Sequence, residues 1–239
     1  VSGKIVVLRG GAIGDFILTL PVLAALRDYA PEAPIEIVGY PRIASLAVAG
    51  GYANSVRAVE SPALAGFFSP DGPLNSGWAK YFREASLIVS YLHDPNGVFE
   101  ANVRRCTAAP YLRGIHRPPP GSGRHATDLL LDAIRPLELP ASNPVPRLKV
   151  DPPEKPVPLR CLAVHPGSGS ERKNWPESHW ARLLPAWLHW TDERLLIVGG
   201  EAEVGRAERL RAICLASGAE PERVGILENA PLAAVAQQL

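Results

Sequence analysis

The sequence predicts an α/β fold built from two doubly wound parallel sheets facing a cleft, on three observations. Short β-branched runs alternate with longer helical patterns along the whole chain, the order that βαβ units impose. Two of those runs end in glycine-rich turns that open helices, at 10–14 and 166–174. Seven prolines lie between positions 140 and 158, a density that excludes regular helix or central strand and suits a stiff extended linker. The expected domains are 1–139, a linker at 140–158, and 159–239.

In the first domain Lys4–Arg9 is a continuous apolar strand, as a parallel sheet covered on both faces requires. The turn Gly10–Gly14 leads into a helix over about Asp15–Tyr29. Its apolar residues (Phe16, Ile17, Leu20, Leu23, Ala24) run nearly all round, so it should be deeply buried, with Pro21 forcing a kink or a late start. A strand at Ile35–Val38, a helix near Ile43–Ala49 and a strand near Ser55–Val59 follow. Ser61–Gly77, rich in Pro, Gly and Ser, reads as a surface excursion. Leu87–Leu92 is a second buried strand. After the loop His93–Gly97 comes a helix through Arg105, and helical character returns over about His125–Arg135.

Past the linker the pattern restarts with a strand at Arg160–His165. Pro176 suits the first position of a helix, whose Trp180, Leu183, Leu184, Trp187 and Leu188 form a core stripe, though Pro185 is awkward inside it. Arg194–Val198 is the next strand, Glu201–Ser217 a charged helix, Arg223–Leu227 a short strand, and a helix begins at Leu232. Three strands are fewer than the roughly five or six of a complete doubly wound sheet, so this lobe is expected to be incomplete.

Composition narrows the function classes. At 46% apolar and 21% charged the chain is an ordinary globular one. With 25 basic against 24 acidic residues it lacks the basic excess of a dedicated nucleic-acid binder. Cys106, Cys161 and Cys214 lie far apart without metal-ligand spacing, and no apolar run approaches the roughly 20 residues of a membrane span. A reducing, cytoplasmic setting is expected. GxxxxGK[ST], HExxH, GxSxG and DxD are absent. Arg9 stands where a dinucleotide fingerprint would begin, and Val38-Gly39-Tyr40 offers no ribose-binding acid, which argues against NAD.

Three turns carry candidate chemistry. In the first, Asp15 either accepts a proton from a substrate hydroxyl as general base or caps its helix. In the second, Gly167 and Gly169 let the backbone approach a ligand, Ser168 and Ser170 supply hydroxyls and Lys173 supplies a point charge. The pattern suits a diphosphate cradle; a solvated surface loop has the same composition. In the third, an acid beyond Gly199-Gly200, Glu201 or Glu203, is placed for ribose hydroxyls or for compensating a helix dipole. The basic residues Arg104, Arg105, Arg113, His116, Arg117 and Arg124, with Glu100 and Asp128 as nearby acids, form either an anionic-acceptor surface or a solvated face.

Two stretches, Gly11-Ala-Ile-Gly-Asp15 with Thr19-Leu-Pro21 and His165-Pro-Gly-Ser-Gly169 with Lys173-Asn-Trp-Pro176, resemble glycosyltransferase family 9. These are the lipopolysaccharide heptosyltransferases of the GT-B fold. Arg124-His-Ala-Thr-Asp128 is similar to the family's pattern ahead of its linker. The resemblance implies an inverting transfer of a sugar, usually heptose from ADP-heptose, onto a lipid-linked core saccharide. It implies no metal or other cofactor, no nucleic-acid partner, and a cytoplasmic protein peripheral to the inner membrane face. Asp15 would be the base. Lys173 and Ser168, with Gly167 and Gly169, would hold the diphosphate, and Glu203 the ribose. Gly11, Gly14 and Arg124 would lie on the acceptor side. The family's Asp-[Ser/Thr]-Gly-x-x-His stretch is not found before Leu239, so the donor site is expected to be incomplete; a non-catalytic GT-B relative is the alternative.

Overall fold

The computed structural model describes residues 3–151, 160–168, 170–200 and 205–239. The chain divides into two compact units, Val1–Val150 and Asp151–Leu239.

The first unit is a five-stranded parallel sheet in the order β3-β2-β1-β4-β5. Its strands are β1 (Lys4–Arg9), β2 (Ile35–Gly39), β3 (Ser55–Ala58), β4 (Ala85–Ser90) and β5 (Tyr111–Arg113). Ile5, Val6 and Leu8 of β1 are fully buried, as a central strand covered on both faces requires. From β1 the chain winds outward first through β2 and β3, then on the other side through β4 and β5. The topological switch therefore lies between β1 and β4, where doubly wound sheets open a crevice beyond their strand ends.

The apolar stretch after β1 forms two helices, α1 (Ile13–Ile17) and α2 (Leu20–Tyr29), with Pro21 in the first turn of the second. Proline needs no N–H there, so it starts α2 late instead of kinking one long helix. The expected all-round burial is corrected for α1, because Ile13 and Ile17 are 40% and 37% exposed. The expected surface excursion at Ser61–Gly77 is corrected too. Pro62–Phe68 is a 3-10 helix that buries Leu64 and Phe67 completely, and Asn75 caps α4 (Ser76–Arg83) by accepting the Trp78 N–H. Phe67, Trp78, Tyr81, Phe82 and Phe99 then pack as one aromatic cluster under the sheet. Phe67 and Phe82 lie 5.2 Å apart in a tilted pair, geometry that adds about 0.5–1.5 kcal/mol beyond area burial. Between β2 and β3 runs α3 (Pro41–Ala49), and after β4 come α5 (Val98–Arg104) and α6 (Ala126–Leu131), the last continuing as 3-10 helix to Leu137.

The first half of the proline-rich stretch belongs to this unit. Tyr52 donates its hydroxyl hydrogen to the Arg147 carbonyl at 2.6 Å, and Leu139–Asn143, Val145 and Arg147 wall a cavity against α2.

The second unit is a three-stranded parallel sheet, β6-β7-β8, from Cys161–Val164, Arg194–Gly199 and Val224–Glu228, with α7 (Glu177–Trp190), α8 (Arg206–Ala216) and α9 (Leu232–Gln238). Pro176 is the residue before α7 and not its first. Leu184 and Leu188, one turn apart, face the core, whereas Leu183 is 44% exposed. Leu183 sits about 100° round the helix from Leu184, which moves it off the expected stripe.

Candidate active site

The turn after β1 is built around Asp15. Gly11 adopts φ +94°, and a Cβ there would stand 2.9 Å from Asp15 Oδ2, so only glycine fits. Ala12 is the residue before α1, and its N–H donates to Asp15 Oδ2 at 3.1 Å. Asp15 thus serves the helix start, but from the third helical position reaching back. It leaves Oδ1 without a hydrogen-bond partner among the described residues. A carboxylate stationed at the start of a five-residue helix takes the place an incoming anion would need. The first turn therefore presents a carboxylate where a phosphate loop would present free N–H groups. Gly14, beside it, is exposed, and a Cβ there would meet nothing within 4 Å.

Behind this turn lies Arg9, the last residue of β1 and 3% exposed. Nη2 donates to the Asp15 carbonyl at 2.8 Å and Nη1 to the His116 carbonyl at 2.9 Å. Thr19, fully buried, donates its hydroxyl hydrogen to the same Asp15 carbonyl at 2.9 Å. His116 follows β5 and His93 follows β4, and their rings lie 4.5 Å apart. Partial burial, then His93, Arg117 and Arg9, hold His116 below the ordinary histidine range, against the opposite pull of Asp15. Asp15, His93 and His116 thus lie on the loops that follow β1, β4 and β5 in turn. The sequence reading placed His116 only in a basic run and missed His93 and Arg9. The available signal was position, since Arg9 ends β1 and His93 and His116 follow the ends of β4 and β5.

Half of the basic run is neutralised locally. Arg104 and Arg113 each contact Glu100 at 2.8 Å, Arg113 also reaches Asp94, and Arg124 pairs with Asp132 at 2.7 Å. Asp94 and Asp132 are the acids the sequence reading left out. Arg105 binds the Asn102 side chain and the Gly72 carbonyl. Arg124 is therefore engaged by α6's own end.

In the second unit the loop after β6 is closed by local bonds. His165 Nδ1 donates to the Gly167 carbonyl at 2.7 Å, so Nδ1 carries the ring proton. Ser168 Oγ donates to the Ser170 carbonyl at 2.9 Å and accepts the Ser170 N–H at 3.3 Å, so its one hydrogen is spent inside the loop. Lys173 ends a 3-10 turn at Glu171–Lys173. It is exposed, and its side chain makes no hydrogen bond or ion pair among the described residues. From α8, Arg206 donates to the Pro166 carbonyl at 3.1 Å and pairs with Glu177, which Arg209 also grips through two 2.9 Å bonds. The Arg209 bonds lead in holding the Glu177 carboxyl below its ordinary range. Gly169, Glu201 and Glu203 lie outside the described residues. An acid not foreseen at the β7 exit is Glu228, which ends β8 and accepts the Gly205 N–H at 2.9 Å.

No group of three or more metal-ligating side chains occurs among the described residues, and none of their helices is long and apolar enough to cross a membrane. Cys106, Cys161 and Cys214 are free, and burial pushes each thiol's pKa up, the opposite of an activated nucleophile.

No protein-family model and no curated protein matches the sequence. Solved structures do match. A glycosyl transferase family 9 protein from Veillonella parvula aligns over 99% of this chain and 72% of its own, at 15% identity and a TM-score of 0.70. The E. coli ADP-heptose LPS heptosyltransferase II aligns over 98% and 76%, at 13% identity and 0.69. E. coli heptosyltransferase WaaC with ADP-2-deoxy-2-fluoro heptose aligns over 98% and 79%, at 18% identity and 0.62. The chain has the fold of these GT-B glycosyltransferases.

Proposed function

We propose that this protein is an inverting glycosyltransferase that moves heptose from ADP-heptose onto a lipid-linked lipopolysaccharide core saccharide without a metal ion. One observation carries the reading. In a fold shared with heptosyltransferases, the first strand of each sheet ends in a loop bearing one half of the required chemistry. An in-line displacement needs a base for the attacking hydroxyl and charge stabilisation for the leaving diphosphate.

Asp15, with Oδ1 open beside the unobstructed face of Gly14, is the base. Gly11 shapes its turn. Lys173, exposed and unengaged, takes the diphosphate, while Gly167, Ser168 and Gly169 shape the loop that presents it; Glu203 takes the ribose. His116, whose loop Arg9 ties to the Asp15 turn, and His93 against it belong to the acceptor side, and Arg124 supports that side through Asp132. The exposed pair Ile13 and Ile17, one turn apart on α1, offers an apolar contact to a lipid-linked acceptor at the inner membrane face.

Calorimetry with ADP, ADP-heptose and UDP-sugars, with and without EDTA, tests the donor half. ADP ligands should bind equally in both buffers, and binding of none of them would overturn the reading. Product analysis with labelled ADP-heptose and lipid A-linked core saccharide tests the transfer and its anomeric outcome.

A further inference from the structure

Among the described residues Arg9 is the only charged side chain in the buried set. Placing a guanidinium there is costly unless its donors are used, and two of them go to two different loops. The reason for the first contact lies in the break between α1 and α2. Thr19 N–H bonds to Phe16 O, so the Asp15 carbonyl loses the helical partner four residues on and is left as an end-of-helix acceptor. Arg9 and Thr19 satisfy it from the side. The second contact, to the His116 carbonyl, ties the same turn to the loop after β5. The Tyr91 ring, 5.7 Å from the guanidinium carbon, and its hydroxyl bond to Leu130 O at 2.8 Å back this arrangement from β4's end.

We propose that Arg9 is a positioning residue, whose planar fork fixes the Asp15 turn against the His116 loop so that the carboxylate is held in place for the acceptor. It touches no reacting atom. The inference rests on Asp15 acting as the base. A lysine cannot replace it, because one ammonium lacks the fixed fork that spans two carbonyls.

The test compares wild type, Arg9→Lys, Arg9→Gln and Thr19→Ser in the full chain. Amide hydrogen exchange is read at Phe16, Leu18 and Thr19, whose N–H groups hold α1 and its exit. Steady-state kinetics use ADP-heptose and lipid A-linked core saccharide. Both Arg9 variants should exchange faster at those amides while the β1–β4 amides keep wild-type protection. Their kcat should fall on the order of 10²-fold, since misplacing a reacting group by about 1 Å costs that much, with KM for donor within twofold. Thr19→Ser, which keeps its hydroxyl, should behave as wild type. Unchanged exchange at the three amides, or protection lost throughout the unit, would overturn the proposal whatever the kinetics show. Should Arg9 variants fail to fold, Thr19→Val, which removes the other donor to the same carbonyl, must loosen those amides; if it does not, the proposal fails. Asp15→Asn run alongside separates the two claims. Full turnover in Asp15→Asn sinks the base assignment, whereas a dead Asp15→Asn beside kinetically normal Arg9 variants sinks only the positioning role.

Discussion

The loops after β1 and after β6 start from the same topology, the first strand of a parallel sheet turning into a helix, yet they are held in different ways. The first is fixed from outside. Arg9 and Thr19 grip the Asp15 carbonyl, and Asp15 grips Ala12. The second is closed mainly on itself, through His165 to Gly167 and Ser168 to Ser170, with Arg206 reaching Pro166 from another element. A base must stand where the hydroxyl arrives, and fixed orientation is the larger part of its value. A charge that receives a diphosphate, the role proposed for Lys173, needs reach more than fixity, and its side chain makes no hydrogen bond or ion pair among the described residues.

Substitutions can break or sharpen that contrast. The largest effect is expected for Asp15→Asn. Transfer should fall about 10²–10⁴-fold with ADP-heptose affinity within twofold, checked by single-turnover kinetics and calorimetry. Lys173→Ala should instead weaken ADP binding roughly 10- to 100-fold, the loss of one charge-assisted hydrogen bond, with melting temperature unchanged. Unaltered ADP affinity would remove Lys173 from the cradle.

The glycines sharpen the first loop further. Gly11→Ala drives a Cβ against Asp15 Oδ2 in a left-handed backbone, so turnover should drop about tenfold or more and melting temperature should fall. Gly14→Ala meets only open space. It should leave the melting temperature alone and raise the acceptor KM, and a normal acceptor KM would show that the acceptor does not lie over that face.

The smallest effect is in pH dependence. The folded-state pKa of Glu177 is lowered by Arg209 and that of Asp132 by Arg124. Each contributes stability above its unfolded value, roughly 4.3 and 3.9, which is lost as pH falls through the folded value. Glu177→Gln should flatten the acid side of stability in the second unit, and Asp132→Asn in the first. Both pairs are largely exposed, so the changes should be small and should shrink further in high salt.

Much of the architecture was legible because local rules were strong. β1, β4 and β7 are apolar runs that suit only the inside of a parallel sheet, and Pro21 marked the late start of α2. Ser61–Gly77 misled because Pro, Gly and Ser signal a loop locally, while Leu64 and Phe67 reach a core assembled from strands on either side in sequence. β5 was missed because three residues carry no period.

Residue types and their order along the chain thus determined the two-sheet plan and nominated Asp15 and Lys173, since hydrophobic patterning and turn chemistry act over neighbouring residues. Only the tertiary structure decided which groups serve them. Arg9 to His116 and Glu177 to Arg209 each join distant positions. Such pairings form only when separate segments meet, and no local spacing encodes that a guanidinium will find a carbonyl more than a hundred residues away.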